Sequence, residues 1–113
     1  MSSTLFTPYK LGPVTLRNRT IRSAAFESMG KDFGPTRQLK DYHVAVARGG
    51  VGMTTLAYAA VCRSGLSFNK QLWLRPEIVP GLREITDAVH REGAAAAIQI
   101  GHCGNMTHWT TAG

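Results

Sequence analysis

Residues 94–105 read AAAAIQIGHCGN, and this stretch limits the possible folds more than any other. Ala94 to Ile98 is an unbroken run of small or β-branched apolar residues, preceded by Gly93 and closed by Gly101. A short apolar run bounded by glycines predicts a strand over Ala94–Gly101 that is buried on both faces, as in a parallel sheet covered by helices. Polar side chains start where the run gives out, at Gln99 and again from His102 to Asn105. In parallel α/β folds that end of a strand is where ligands bind.

The upstream chain supplies the companions such a strand requires. Tyr9–Leu11 and Val14–Leu16 flank Gly12-Pro13 and predict a short hairpin. Thr20 to Ala25 reads as a first buried strand, followed by a turn-rich loop from Phe26 to Pro35. Thr36 can cap a helix running to about Arg48, with Leu39, Tyr42, Val46 and His43 near one face and Gly49-Gly50 as its stop. Val51 to Ala60 reads as a second strand, and Val61 to Arg75 as a long irregular loop of the kind that often carries function. Pro76 and Glu77 can open a second helix over about Ile78 to Arg91, with Ile78, Leu82, Ile85 and Val89 as its apolar stripe.

The order is hairpin, then β-α-β-α-β, which implies crossovers and a parallel sheet. Three parallel strands with two helices leave an open edge and an uncovered face. The expected fold class is therefore α/β, a partial TIM (β/α)8 barrel, since a whole barrel takes about 250 residues against the 113 here. A doubly wound dinucleotide fold is disfavoured: FESMGKDFGP follows the first strand where a Gly-x-Gly-x-x-Gly turn would be needed, and no phosphate-binding P-loop pattern occurs.

Bulk properties exclude other classes. No apolar run is long enough to span a bilayer, and MSSTLFTPYKLG lacks the layout of a signal peptide, so a cytoplasmic location and no membrane partner are expected. Cys62 and Cys103 form no disulfide framework. Thirteen Lys and Arg against seven Asp and Glu give a net charge of +6. The basic residues are scattered, with only Arg17, Arg19 and Arg22 loosely grouped, so no nucleic acid is expected and a phosphorylated cofactor suits the charge better.

Several residues are candidates for chemistry. A Gln99 buried in an apolar strand must be hydrogen-bonded, either to a neighbouring loop or to a flat heterocycle that uses its donor and its acceptor. Ser23, Ala24 and Ala25 are small enough to admit a flat ligand to the backbone or simply to pack tightly, and the same choice holds for Ala57. Glu27 and Tyr58 lie just beyond strand ends and could belong to a site or to solvated loop. His102, Cys103 and His108 match no common zinc spacing, so no metal is expected. No base is fixed by sequence for Cys103 as a nucleophile, and no catalytic residue is assigned. An aldolase would need a lysine at a strand end, and Lys31, Lys40 and Lys70 are not so placed.

In order along the chain, Leu5, Phe6, Pro8, Leu16, Asn18 and Arg19, then Arg48-Gly49-Gly50-Val51-Gly52, Gly81-Leu82-Arg83, Asp87-Ala88-Val89-His90 and Gln99 to Asn105, resemble the Old Yellow Enzyme-like NADH:flavin oxidoreductases. The resemblance implies that residues 1–113 are the N-terminal part of a single FMN-binding TIM-barrel domain, the remainder lying outside them. It implies an oxidoreductase passing hydride from NAD(P)H through FMN to an activated C=C bond of an enone or dienoyl thioester. Gln99 would then pair with the flavin pyrimidine edge, Ala24, Ala25 and Phe26 would lie along the flavin, and Ala57 or Tyr58 would touch it from strand two. The sequence departs from the family pattern at Asn105, where Arg is usual, and at Ala25 and Phe26, where Thr or Cys commonly sits nearby. The family's substrate-binding and proton-donating residues come later in the barrel. The partner implied is a small-molecule substrate, with a second copy or a complementary barrel segment as macromolecular candidates. The alternative expectation is a non-catalytic truncated fragment or assembly module that cannot bind FMN alone.

Overall fold

The computed structural model describes residues 3–106. Strands β1 (Tyr9–Leu11) and β2 (Val14–Leu16) form the antiparallel hairpin, with Tyr9 opposite Leu16. Gly12 turns it at φ +58°, a value that glycine reaches without steric cost. A single parallel sheet follows, made of β3 (Ile21–Arg22), β4 (Met53–Ala60), β5 (Leu72–Trp73) and β6 (Ala95–Gly101). Strand β4 is central: β6 runs along one edge, while β3 and then β5 share the other.

Helix α1 (Arg37–Arg48) begins where expected, because the Thr36 hydroxyl accepts the Leu39 N–H. Its buried residues are Leu39, His43 and Ala47. The apolar stripe is therefore turned from the one read in the sequence: Tyr42 is exposed and His43 is inside. Helix α2 (Val79–Arg91), preceded by a 3-10 turn over Pro76–Ile78, buries Ile85, Ala88 and Val89. Both helices cover the same face of the sheet, α1 over β4 and α2 over β6, and Leu56, Leu39, Ile85 and Val89 belong to one core cluster there. No helix among the described residues is long and apolar enough to cross a membrane.

Two strands depart from expectation. The first is only Ile21–Arg22 rather than Thr20–Ala25, because the chain leaves the edge of β4 after Arg22. The last is not buried on both faces: Ile98, Gln99 and Ile100 are exposed. Among the described residues β4 alone pairs with β6, so the outer edge of β6 and the sheet face away from the helices are uncovered. The two-residue β5 lies within the stretch read as irregular loop.

Arg17 ties the N-terminal ends of the strands together. Its guanidinium donates to the carbonyls of Ala47 (2.5 Å), Glu92 (2.7 Å) and Val51 (3.0 and 3.1 Å). Ala47 and Glu92 lie at the C-terminal ends of the two helices, where carbonyls lack partners and the dipole favours a cation. Arg48 reaches the Glu92 carboxylate at 2.9 Å, and that hydrogen bond holds the carboxyl below its ordinary range. Replacing Arg17 by methionine keeps much of the stem and removes the donors. We expect a loss of about 2 kcal/mol, read as a lowered urea midpoint with an unchanged m-value; an unchanged midpoint would contradict the clamp.

Candidate functional site

The strands are parallel, so the C-terminal ends of β3, β4 and β6 lie at one end of the sheet. The residues named from the sequence lie toward that end. Ala24, Ala25 and Phe26 continue from β3, Ala57 and Tyr58 lie in β4, and Gln99 lies in β6. Ala24 and Ala57 are half-buried and Ala25 is exposed. Phe26 is 76% exposed, its ring 4.7 Å from that of Phe68.

A β-bulge organises this end. Leu56 pairs with Ile98 and Ala59 with Ile100, so Ala57 and Tyr58 together stand opposite the single residue Gln99. Such a bulge adds local twist and re-aims side chains. The Tyr58 ring lies over Gly101, where a Cβ would come within 3.2 Å of it. Its hydroxyl is 2.8 Å from Ser67 Oγ, and Ser67 donates through both its N–H and its hydroxyl to Gln71 Oε1. Tyr58 is thus partnered by the loop after β4 rather than solvated.

Gln99 differs from its expected setting. By the two-residue alternation of a strand it falls on the open face with Ala95 and Ala97, away from the helices. Its side chain is exposed, and no group among the described residues hydrogen-bonds its amide. Among the described residues a satisfied loop contact is therefore not what holds it.

Glu27, left open in the sequence between site and solvated loop, is inside, with its side chain 3% exposed. Oε1 accepts the Ala57 N–H at 3.1 Å. Oε2 accepts from Arg22 at 2.8 Å and lies 2.7 Å from His43 Nε2. His43 is fully buried, with Nδ1 2.8 Å from Thr54 Oγ1. Arg22 also donates to the Thr55 carbonyl (2.9 Å) and the Tyr42 hydroxyl (2.9 Å), and its guanidinium lies 4.8 Å from the Tyr42 ring centre. Sequence reasoning missed this network because its members come from separate elements. The one available signal was Arg22, a charged residue inside the stretch Thr20–Ala25 read as a buried strand.

His102 accepts the Gly104 N–H at Nδ1 (2.9 Å), which leaves Nε2 as the protonated nitrogen facing Ser64 Oγ. It braces the loop after β4, where Gly65 has no room for a Cβ beside the ring. Among the described residues no three His, Cys, Asp or Glu side chains come together as a metal site, and His108 lies outside those residues.

A family model described as the NADH:flavin oxidoreductase / NADH oxidase family matches residues 4–110. The chain is 48% identical over 100 residues to a 4,4'-dithiodibutanoate disulfide reductase of Rhodococcus erythropolis, covering 88% of this chain and 25% of that protein. It is 48% identical over 107 residues to a probable N-methylproline demethylase of Rhizobium meliloti (strain 1021), covering 93% of this chain and 16% of that protein. Among solved structures, morphinone reductase in complex with tetrahydroNAD superposes with a TM-score of 0.83 at 25% identity, over 95% of this chain and 29% of that one. A 2-naphthoyl-CoA reductase complex gives 0.88 at 25% identity, over 93% and 16%. The chain thus spans about a quarter or less of the length of these two curated relatives.

Proposed function

The chain belongs to the NADH:flavin oxidoreductase / NADH oxidase family, as a partial α/β barrel matching the N-terminal part of Old Yellow Enzyme structures, and from that premise we propose that it forms the flavin-facing floor of an FMN-dependent oxidoreductase. The observation that carries this reading is the Ala57–Tyr58 bulge opposite Gln99. There, the small Ala57 side chain leaves room, and an amide with no partner among the described residues stands on the open face of the sheet. An amide with one donor and one acceptor free side by side is complementary to the pyrimidine edge of a flavin, and Ala24, Ala25 and Ala57 leave room for a flat ring. On these grounds the residues fit the group.

FMN held there would supply hydride chemistry between NAD(P)H and an activated C=C bond such as that of an enone or dienoyl thioester. The contribution of this chain is placement. Gln99 fixes the ring in its plane, Ala57 and Tyr58 support it from β4, and Ala24, Ala25 and Phe26 border it from β3. No proton-transfer residue is assigned within the chain, and the location proposed is the cytoplasm.

In the full-length protein, Gln99→Leu should weaken FMN binding about tenfold, the loss of roughly 1.4 kcal/mol of hydrogen bonding. Quenching of flavin fluorescence measures it. A colourless full-length protein that binds no added FMN would overturn the reading. Residues 1–113 by themselves should not hold FMN tightly, and stoichiometric sub-micromolar binding by them would contradict that. A second reading, an assembly module that needs a complementary barrel segment, draws on the unpaired edge of β6 with Ile98 and Ile100 exposed. Sedimentation of the chain mixed with the remaining barrel segment tests it.

A further inference from the structure

Between Thr54 and Ala59 one edge of β4 has no strand beside it. Strand β3 ends at Arg22, paired with Thr54, and β5 takes up the same edge only at Ala59. Side chains fill the interval. The Arg22 guanidinium takes the Thr55 carbonyl, and Glu27 Oε1 takes the Ala57 N–H. Their mutual contact at 2.8 Å closes the pair into a substitute for the missing strand. Buried backbone groups require such partners, and a bulge leaves its extra residue outside the regular ladder.

The chemistry of the substitute is specific. Glu27 accepts a backbone N–H at Oε1 and the Arg22 guanidinium at Oε2, where His43 Nε2 lies 2.7 Å away without a hydrogen bond. A carboxylate accepts at both oxygens, whereas an amide would set an NH2 against one of those donors. The carboxylate is thus hydrogen-bonded from β3 and β4 at once, with the buried His43 ring of α1, itself paired with Thr54, packed against it. What it holds is the peptide N–H of Ala57, the first residue of the bulge opposite Gln99.

We propose that Glu27 is a positioning residue of the site: acting through the Ala57 N–H, it holds the Ala57–Tyr58 bulge at the spacing from Gln99 that the flavin ring requires. It does not touch the ring itself. The assignment rests on the FMN reading above for what the bulge receives, and on the hydrogen bonds alone for how the bulge is held.

The test compares Glu27→Ala, Glu27→Gln and Arg17→Met in the full-length protein. Arg17→Met loosens the opposite end of the sheet and controls for general destabilisation. Amide exchange at Ala57 should accelerate about tenfold more in Glu27→Ala than in Arg17→Met. The FMN dissociation constant should rise about tenfold, with a shift of the bound flavin's visible band, and both should stay put in Arg17→Met. Glu27→Gln keeps one acceptor for Ala57 and should fall between Glu27→Ala and wild type in both readouts; should Glu27→Ala not fold, Glu27→Gln against Arg17→Met decides. Exchange and affinity indistinguishable from the Arg17→Met control overturn the proposal. If the wild-type protein takes up no FMN, the flavin reading fails, and the Ala57 exchange rates still decide whether Glu27 holds the bulge.

Discussion

Arg22→Met should cost the protein about 3 kcal/mol, read as a fall in the chemical denaturation midpoint. The reason lies in what remains rather than in what is removed. Glu27 would stay at 3% side-chain exposure while losing its cationic partner at 2.8 Å. Breaking a buried pair from one side leaves an uncompensated charge, at a cost of roughly 3–5 kcal/mol. The low end applies because Arg22 itself is 16% exposed and water can reach its place. The double variant Arg22→Met/Glu27→Gln should be less unstable than the sum of the two single changes. Strict additivity would show that the charges do not depend on one another.

Gly52→Ala should cost a comparable amount, about 3 kcal/mol, through crowding alone. A Cβ at Gly52 would lie 2.5 Å from the Asn18 carbonyl oxygen and 2.8 Å from that of Thr20. Neither can retreat. The Asn18 side chain donates to the Gly50 carbonyl and accepts from Thr20, while the Thr20 carbonyl accepts the Gly52 N–H. The comparison is Gly12→Ala, where no atom lies within 4 Å and only the positive φ resists, for about 1 kcal/mol. Equal losses in thermal melts of the two variants would mean that crowding at Gly52 is relieved by backbone movement.

These two sites show what sequence reasoning can and cannot reach. The Arg48–Gly52 segment was read as a family feature, and the structure gives Gly52 its reason: the start of β4 passes against the Asn18–Thr20 backbone with no space for a side chain. The hairpin, both helices and the long strands β4 and β6 were legible because each repeats a pattern over several residues. Strand β5 was not, since Leu72–Trp73 is too short to show a period. The early end of β3 was not either, because it depends on side chains of Arg22 and Glu27 replacing backbone.

At the site, apolar continuity placed Gln99 in a strand but gave it the wrong surroundings. Burial depends on neighbouring strands, and β6 has one such neighbour among the described residues. The bulge was not legible, because a single inserted residue leaves the local composition unchanged. Glu27 was named but left open between site and solvated loop. A carboxylate after a strand looks the same in sequence whether it faces water or an arginine and a histidine.

The Arg17 clamp has a bearing on how the chain is made. The guanidinium must reach a carbonyl 75 residues further along, at Glu92. At ordinary ribosomal speeds that interval is on the order of ten seconds. Until α2 has emerged, the clamp can engage only the Ala47 and Val51 carbonyls, 30 and 34 residues away. The start of the chain is therefore a fastening that closes in stages during translation.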